Sequence, residues 1–114
     1  MSGGPLLSLL QGYLEVASDR QEVIAANMAN VDTPGYHTRD INFQQAMQDV
    51  MNPADEPRME PASLEIQGLP ERPDGNNVNI DRESMLLSET QLQYQMGIQL
   101  IKEQFHMMLT AIKD

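Results

Sequence analysis

The chain contains no cysteine. That removes disulfide staples, thiolate zinc sites and cysteine nucleophiles together, and leaves the redox compartment open. Basic residues are scarce: 7 Lys and Arg stand against 17 Asp and Glu, for a formal net charge of −10. This is the wrong sign for wrapping a phosphate backbone or settling on an anionic membrane face, so nucleic acid is not an expected partner. No run of about 18 apolar residues occurs, and no membrane-spanning helix is expected. Met1-Ser2-Gly3-Gly4-Pro5 lacks a basic n-region, and the apolar stretch behind it is interrupted by Gln11, Glu15 and Asp19. A Sec-type signal peptide is therefore not expected, and export would need a dedicated machine. A glycine-rich phosphate loop and a nucleophile paired with a base are both missing, and His37 and His106 stand far apart without a cysteine to join them in a metal site. With 114 residues the chain is one domain's worth. An enzyme is not expected, and no cofactor is implied.

What is there is helical. Residues 5–30 read as a first helix, with Pro5 suited to the first helical position and only Gly12 to weaken the interior. Leu9, Tyr13, Val16, Val23 and Asn27 form one row at alternating spacings of four and three, with Arg20 at its centre, and Leu6, Leu10, Ala17, Ile24 and Met28 form a second row beside it. So wide an apolar face expects neighbours on more than one side. Glu15, Asp19 and Glu22 line the other side, as a solvated face or a salt-bridge surface between subunits.

A second long helix is expected over residues 82–112, with Asp81 as its N-cap and Ile80 stapled to Met85. Leu87, Gln91, Tyr94, Ile98, Ile101, Phe105, Met108 and Ile112 repeat at four and three to its end, a heptad seam. Gly97 interrupts it and suits a close helix crossing. Between the helices, Pro34 and Gly35 spell a type II turn. Residues 36–41 alternate as a short strand, and residues 42–51 suit a short amphipathic helix capped by Asp40 or Asn42. Five of the seven prolines lie in residues 52–75. So polar a stretch reads as a mobile loop or linker, with a brief strand at 63–67 that orders against a neighbour.

The fold class is thus mainly α: two long terminal helices, residues 1–35 and 76–114, pairing as a coiled-coil-like antiparallel hairpin, joined by an irregular proline-rich region, 36–75. Such a hairpin, one layer thick, is marginal alone and points to an assembly.

The most informative stretch is Ala26-Asn27-Met28-Ala29-Asn30-Val31-Asp32-Thr33-Pro34-Gly35-Tyr36. As local chemistry it is a helix end followed by a turn. Asn27 and Asn30 add something more. Three apart on an otherwise apolar face, their amides need turn or partner backbone as hydrogen-bond partners, and a buried amide can set helix register.

This stretch resembles the signature of the flagellar basal-body rod, hook and hook-filament junction proteins, whose first helix ends in an Asn-x-x-Asn-x-x-Thr-Pro-Gly-Tyr type sequence. The short length, Arg39-Asp40-Ile41-Asn42-Phe43, the run from Gly75 through Asn76, Asn77, Val78, Asn79, Ile80, Asp81 and Arg82 to Glu83, and Gln91-Leu92-Gln93-Tyr94-Gln95 resemble the small proximal-rod members of that family. The likeness covers nearly all the chain except its acidic middle. It implies a type III secretion substrate, exported largely unfolded and assembled in the periplasm into the rod of the bacterial flagellum. It also implies terminal helices that stack as a coiled coil around a central channel. The implied partners are copies of itself, other flagellar rod proteins, and the rod-base adapter, MS-ring and export-gate proteins at the rod base. The residues singled out are Asn27, Asn30, Thr33, Pro34, Gly35 and Tyr36 for motif and turn. For the assembly seam they are Leu9, Tyr13, Val16, Val23, Leu87, Tyr94, Ile98, Ile101, Phe105, Met108 and Ile112. A reading from another class is a soluble helical-hairpin adaptor or secretion chaperone, which acidity and amphipathic helices also allow.

Overall fold

The computed structural model describes residues 4–52 and 61–113. Its elements run α1 (Gly4–Ala29), β1 (Arg39–Ile41), α2 (Phe43–Met51), β2 (Ser63–Glu65) and α3 (Ile80–Lys113). At about 1.5 Å per residue, α1 is about 39 Å long and α3 about 51 Å. The two long helices pack against each other in opposite directions: Asn27, near the end of α1, touches Glu83, in the first turns of α3, and Gly97 lies against Tyr13 and Leu14. From these contacts, α1's start at Gly4 lies opposite the neighbourhood of residue 106, so the last turns of α3 run beyond it.

On one flank of α1 the chain builds a small third layer. Val16, Ile41 and Ala46 are buried together, with Val23, Phe43, Met47 and Val50 packed around them. Tyr13 and Phe43 meet edge to face, ring centres 5.7 Å apart. Gly12 lets α2 approach: a Cβ there would fall 2.4 Å from Cγ1 of Val50. Asn42 caps α2, its side chain accepting from the Gln45 amide. Arg20, the charge at the centre of the first helix row, meets Asp40 of β1 in a two-pronged pair, Nε to Oδ1 and Nη2 to Oδ2 both 3.0 Å. Each side chain is only 13% exposed, and the Asp40 hydrogen bond raises the Arg20 pKa above its ordinary value.

Three expectations need correction. The N-cap of α3 is Asn79 and not Asp81, since the Asn79 side chain accepts from the Arg82 amide and its carbonyl from the Glu83 amide. Ile80 is already helical, and it and Met85 are both exposed, so no staple forms there. The region around residues 61–75 is not a free linker: β2 pairs antiparallel with β1 of the same chain, Arg39 opposite Glu65 and Ile41 opposite Ser63. Its order comes from backbone pairing and polar side chains, with Arg39 also holding Ser63, rather than from apolar burial, which composition alone measures. Residues 53–60 of that expected linker lie outside the described residues.

Candidate functional site: the joint between the helices

The most densely bonded place in the molecule is where α1 ends and α3 begins. Thr33, Pro34, Gly35 and Tyr36 form the turn after α1: the Tyr36 amide donates to the Thr33 carbonyl at 3.2 Å, and Gly35 has φ +76°. That positive φ is the reason for glycine at the third turn position. A second positive-φ glycine, Gly75 (φ +83°), packs back to back with it, and a Cβ on Gly75 would lie 3.4 Å from the Gly35 Cα.

Asn27 is fully buried and uses all four of its hydrogen-bonding valences. Nδ2 donates to the Arg39 carbonyl at 2.7 Å and to Oε2 of Glu83 at 3.1 Å. Oδ1 accepts from the Arg39 amide and from the Tyr36 hydroxyl, both at 3.0 Å. One amide thereby ties together the end of α1, the chain leaving the turn, and α3. Burial raises the Tyr36 pKa above its ordinary value, which keeps the hydroxyl a donor well into alkaline solution. Tyr36→Phe, which removes this single bond, is expected to cost about 1 kcal/mol, read as a lower midpoint in urea unfolding.

Glu83 is the other centre. Its side chain has no exposed surface, and every partner is a donor: the Thr38 hydroxyl at 2.5 Å, the Asn27 amide at 3.1 Å and the Arg82 guanidinium at 3.2 Å. A buried acid is tolerated only when so surrounded. Thr38, itself fully buried, gives its amide to Oδ1 of Asn77 at 2.6 Å. Fully buried Asn76 donates from Nδ2 to the carbonyls of Asn30 (2.9 Å) and Thr33 (2.8 Å). These are carbonyls left open where α1 stops. Arg72 adds a bond to the neighbouring Val31 carbonyl, and the Gly35 amide donates to the Asp74 carbonyl. The strand and the strap from residues 72–77 thus close over the turn.

Asn30 is only partly covered, and its amide serves its own helix end, donating to the Ala26 carbonyl and accepting from the Thr33 hydroxyl. The singled-out residues of α1 lie along the packed side, Val16 fully buried and Leu9, Tyr13 and Val23 partly so. On α3 the fully covered line is Glu83, Thr90 and Gly97, seven apart. Leu87, Tyr94, Ile101 and Met108 share its side and are partly covered, as is Ile98, whereas Phe105 and Ile112 are 46% and 79% exposed. The line of closest approach thus runs through small and polar residues that a count of apolar spacings passes over.

Sequence reasoning assigned no role to Thr38, Asn76, Asn77 or Glu83. The run from Gly75 to Glu83 was visible as a pattern, but burial of its polar members depends on partners some forty to fifty residues away. Nothing here has the form of a reaction centre. Among the described residues, no group of three His, Asp or Glu is placed to hold a metal ion. His37 sits between Glu65 and Glu71, each facing a different ring nitrogen, an ion-pairing arrangement rather than a chelating one. No described helix is long and apolar enough to cross a membrane.

A family model described as flagella basal body rod protein matches residues 14–37, the second half of α1 and the turn. Over nearly the whole length, the chain is similar to the flagellar basal body rod protein FlgB of Escherichia coli K12, 34% identical across 95% of this chain and 93% of the relative. FlgB of Salmonella typhimurium is 32% identical, across 94% of this chain and 92% of the relative, and that of Agrobacterium fabrum 31%, across 95% and 92%. A buried amide that joins helix end, turn and second helix, carried on a sequence alike from end to end, makes this chain a member of the FlgB family of flagellar basal-body rod proteins.

Proposed function

We propose that the chain is a structural subunit of the flagellar rod that acts by helix packing, the role named for its relatives. Residues 1–35 and 76–114 form the paired-helix inner part, which stacks with other rod components into a tube, and residues 36–75 brace it from outside. We place the subunit in the proximal rod, where the tube transmits torque and conducts exported subunits. At the base it would meet the adapter, MS-ring and export-gate proteins. Family membership leaves the adaptor or chaperone reading without support.

The observation that carries this reading is the exposed apolar surface of α3. Leu92, Met96, Leu100, Phe105, Met107, Leu109 and Ile112 are all 46% exposed or more. A helix so exposed and so apolar gains by burial between neighbours. The joint supplies the complementary property, a fixed relation between the two rods. Phe105 and Ile112 touch little in the isolated chain, so Phe105→Asp with Ile112→Asp should leave folding intact. In a strain lacking its own rod subunit, the unaltered chain is expected to restore swimming, and the double variant to be secreted without building rods. Normal swimming by that variant overturns the packing claim.

A further inference from the structure

α3 carries a second apolar line that the pairing with α1 does not use. Met85, Met96 and Met107 recur every eleven residues, and Leu92 and Leu100 fill the intervals. At 100° per residue these five side chains lie on the side of α3 opposite Glu83, Thr90 and Gly97. They are 48–65% exposed. An eleven-residue repeat has about 3.67 residues per turn, so the line stays nearly parallel to a straight helix axis, whereas the seven-residue inner line drifts around it. Thioethers on such a line give an adaptable surface for a partner helix.

The charges beside this line discriminate between partners. Glu89 and Glu103 lie on the same side, both exposed. The described arginines are engaged within the chain: Arg20 by Asp40, Arg39 by Ser63, Arg72 by the Val31 carbonyl and Asp74, and Arg82 by Glu83. A second copy therefore has little basic surface to offer, and at a net charge of −10 it would bring acid against acid.

Building on the rod reading above, we infer that the Met85–Leu92–Met96–Leu100–Met107 face takes a helix of a different protein, one with an apolar ridge flanked by basic residues, and not a second copy of this chain. The contact is heterologous, apolar at its centre and charge-steered at its rim.

Two designed helical peptides test this. Both carry a leucine ridge at the eleven-residue repeat, flanked by lysines in one and by glutamates in the other, and each is dye-labelled and titrated with the full chain by fluorescence anisotropy. The lysine-flanked peptide is expected to bind, more weakly as salt rises, and the glutamate-flanked peptide not to bind. Met96→Asp makes the chain more acidic while breaking the ridge, and should weaken binding at least about tenfold; Leu92→Asp serves as a second variant if circular dichroism shows the first to be unfolded. Undiminished binding by a folded variant overturns the proposal, because charge alone then accounts for capture. Absence of binding by the unaltered chain overturns it too. So does a concentration-dependent dimer, seen by sedimentation and abolished by Met96→Asp, since this face then covers itself. None of these results bears on whether the chain builds rods, which the swimming assay reads separately.

Discussion

Asn27→Ala is expected to lower the unfolding free energy by about 3–5 kcal/mol, a large share of the roughly 5–15 kcal/mol that holds most domains folded. The change leaves the Arg39 amide and carbonyl, the Tyr36 hydroxyl and one oxygen of Glu83 without their shared partner, all at a site closed to water. Buried groups left unpaired cost about 1–3 kcal/mol each, more for a charged one, and relaxation of the turn recovers part of the sum. Thermal unfolding followed by circular dichroism reads this directly. Asn30→Ala is the contrast, because its partly covered amide serves only its own helix end, and about 1 kcal/mol is expected there. If Asn27→Ala melts no lower than Asn30→Ala, the joint is not held as described.

Gly12→Ala should cost about 1–3 kcal/mol although alanine is the better helix former. Its Cβ would lie 2.4 Å from Cγ1 and 3.0 Å from Cγ2 of Val50, and a β-branched side chain has little freedom to turn away. α2 must then shift as a unit from the cluster around Val16, Ile41 and Ala46. Val50→Ala opens the space the new methyl needs, so the double variant should be more stable than the sum of the two single losses predicts. A double-mutant cycle with denaturant unfolding measures that coupling, and strict additivity counts against the close approach.

Much of this architecture is written in short-range chemistry. Apolar rows give both long helices, Pro34 with Gly35 gives the turn, and Asn42 gives the start of α2. The start of α3 is harder to read because Asn79 and Asp81 are both good caps, and only the path of the preceding strap selects Asn79. The inner line of α3 is hidden for a different reason. Hydrophobic spacing favours Ile98 and Phe105, but two helices approach most closely over a small residue, Gly97, and Glu83 is admissible only because Asn27 and Thr38 arrive from elsewhere. The same holds for Asn76 and Asn77, which look like ordinary loop asparagines until the open carbonyls and amide they serve are brought to them.

Glu83 also sets an order of events. Its bond to Asn27 spans 56 residues, whereas each helix and the turn can form from neighbours in the sequence. Closing so long a span is slow compared with winding a helix. A chain arriving from its first residue onward would thus hold a formed turn and an unanswered amide until nearly three quarters of it had emerged. Truncation before residue 83 leaves that first rod without its lock, and the last helix acts as the key that makes the shape permanent.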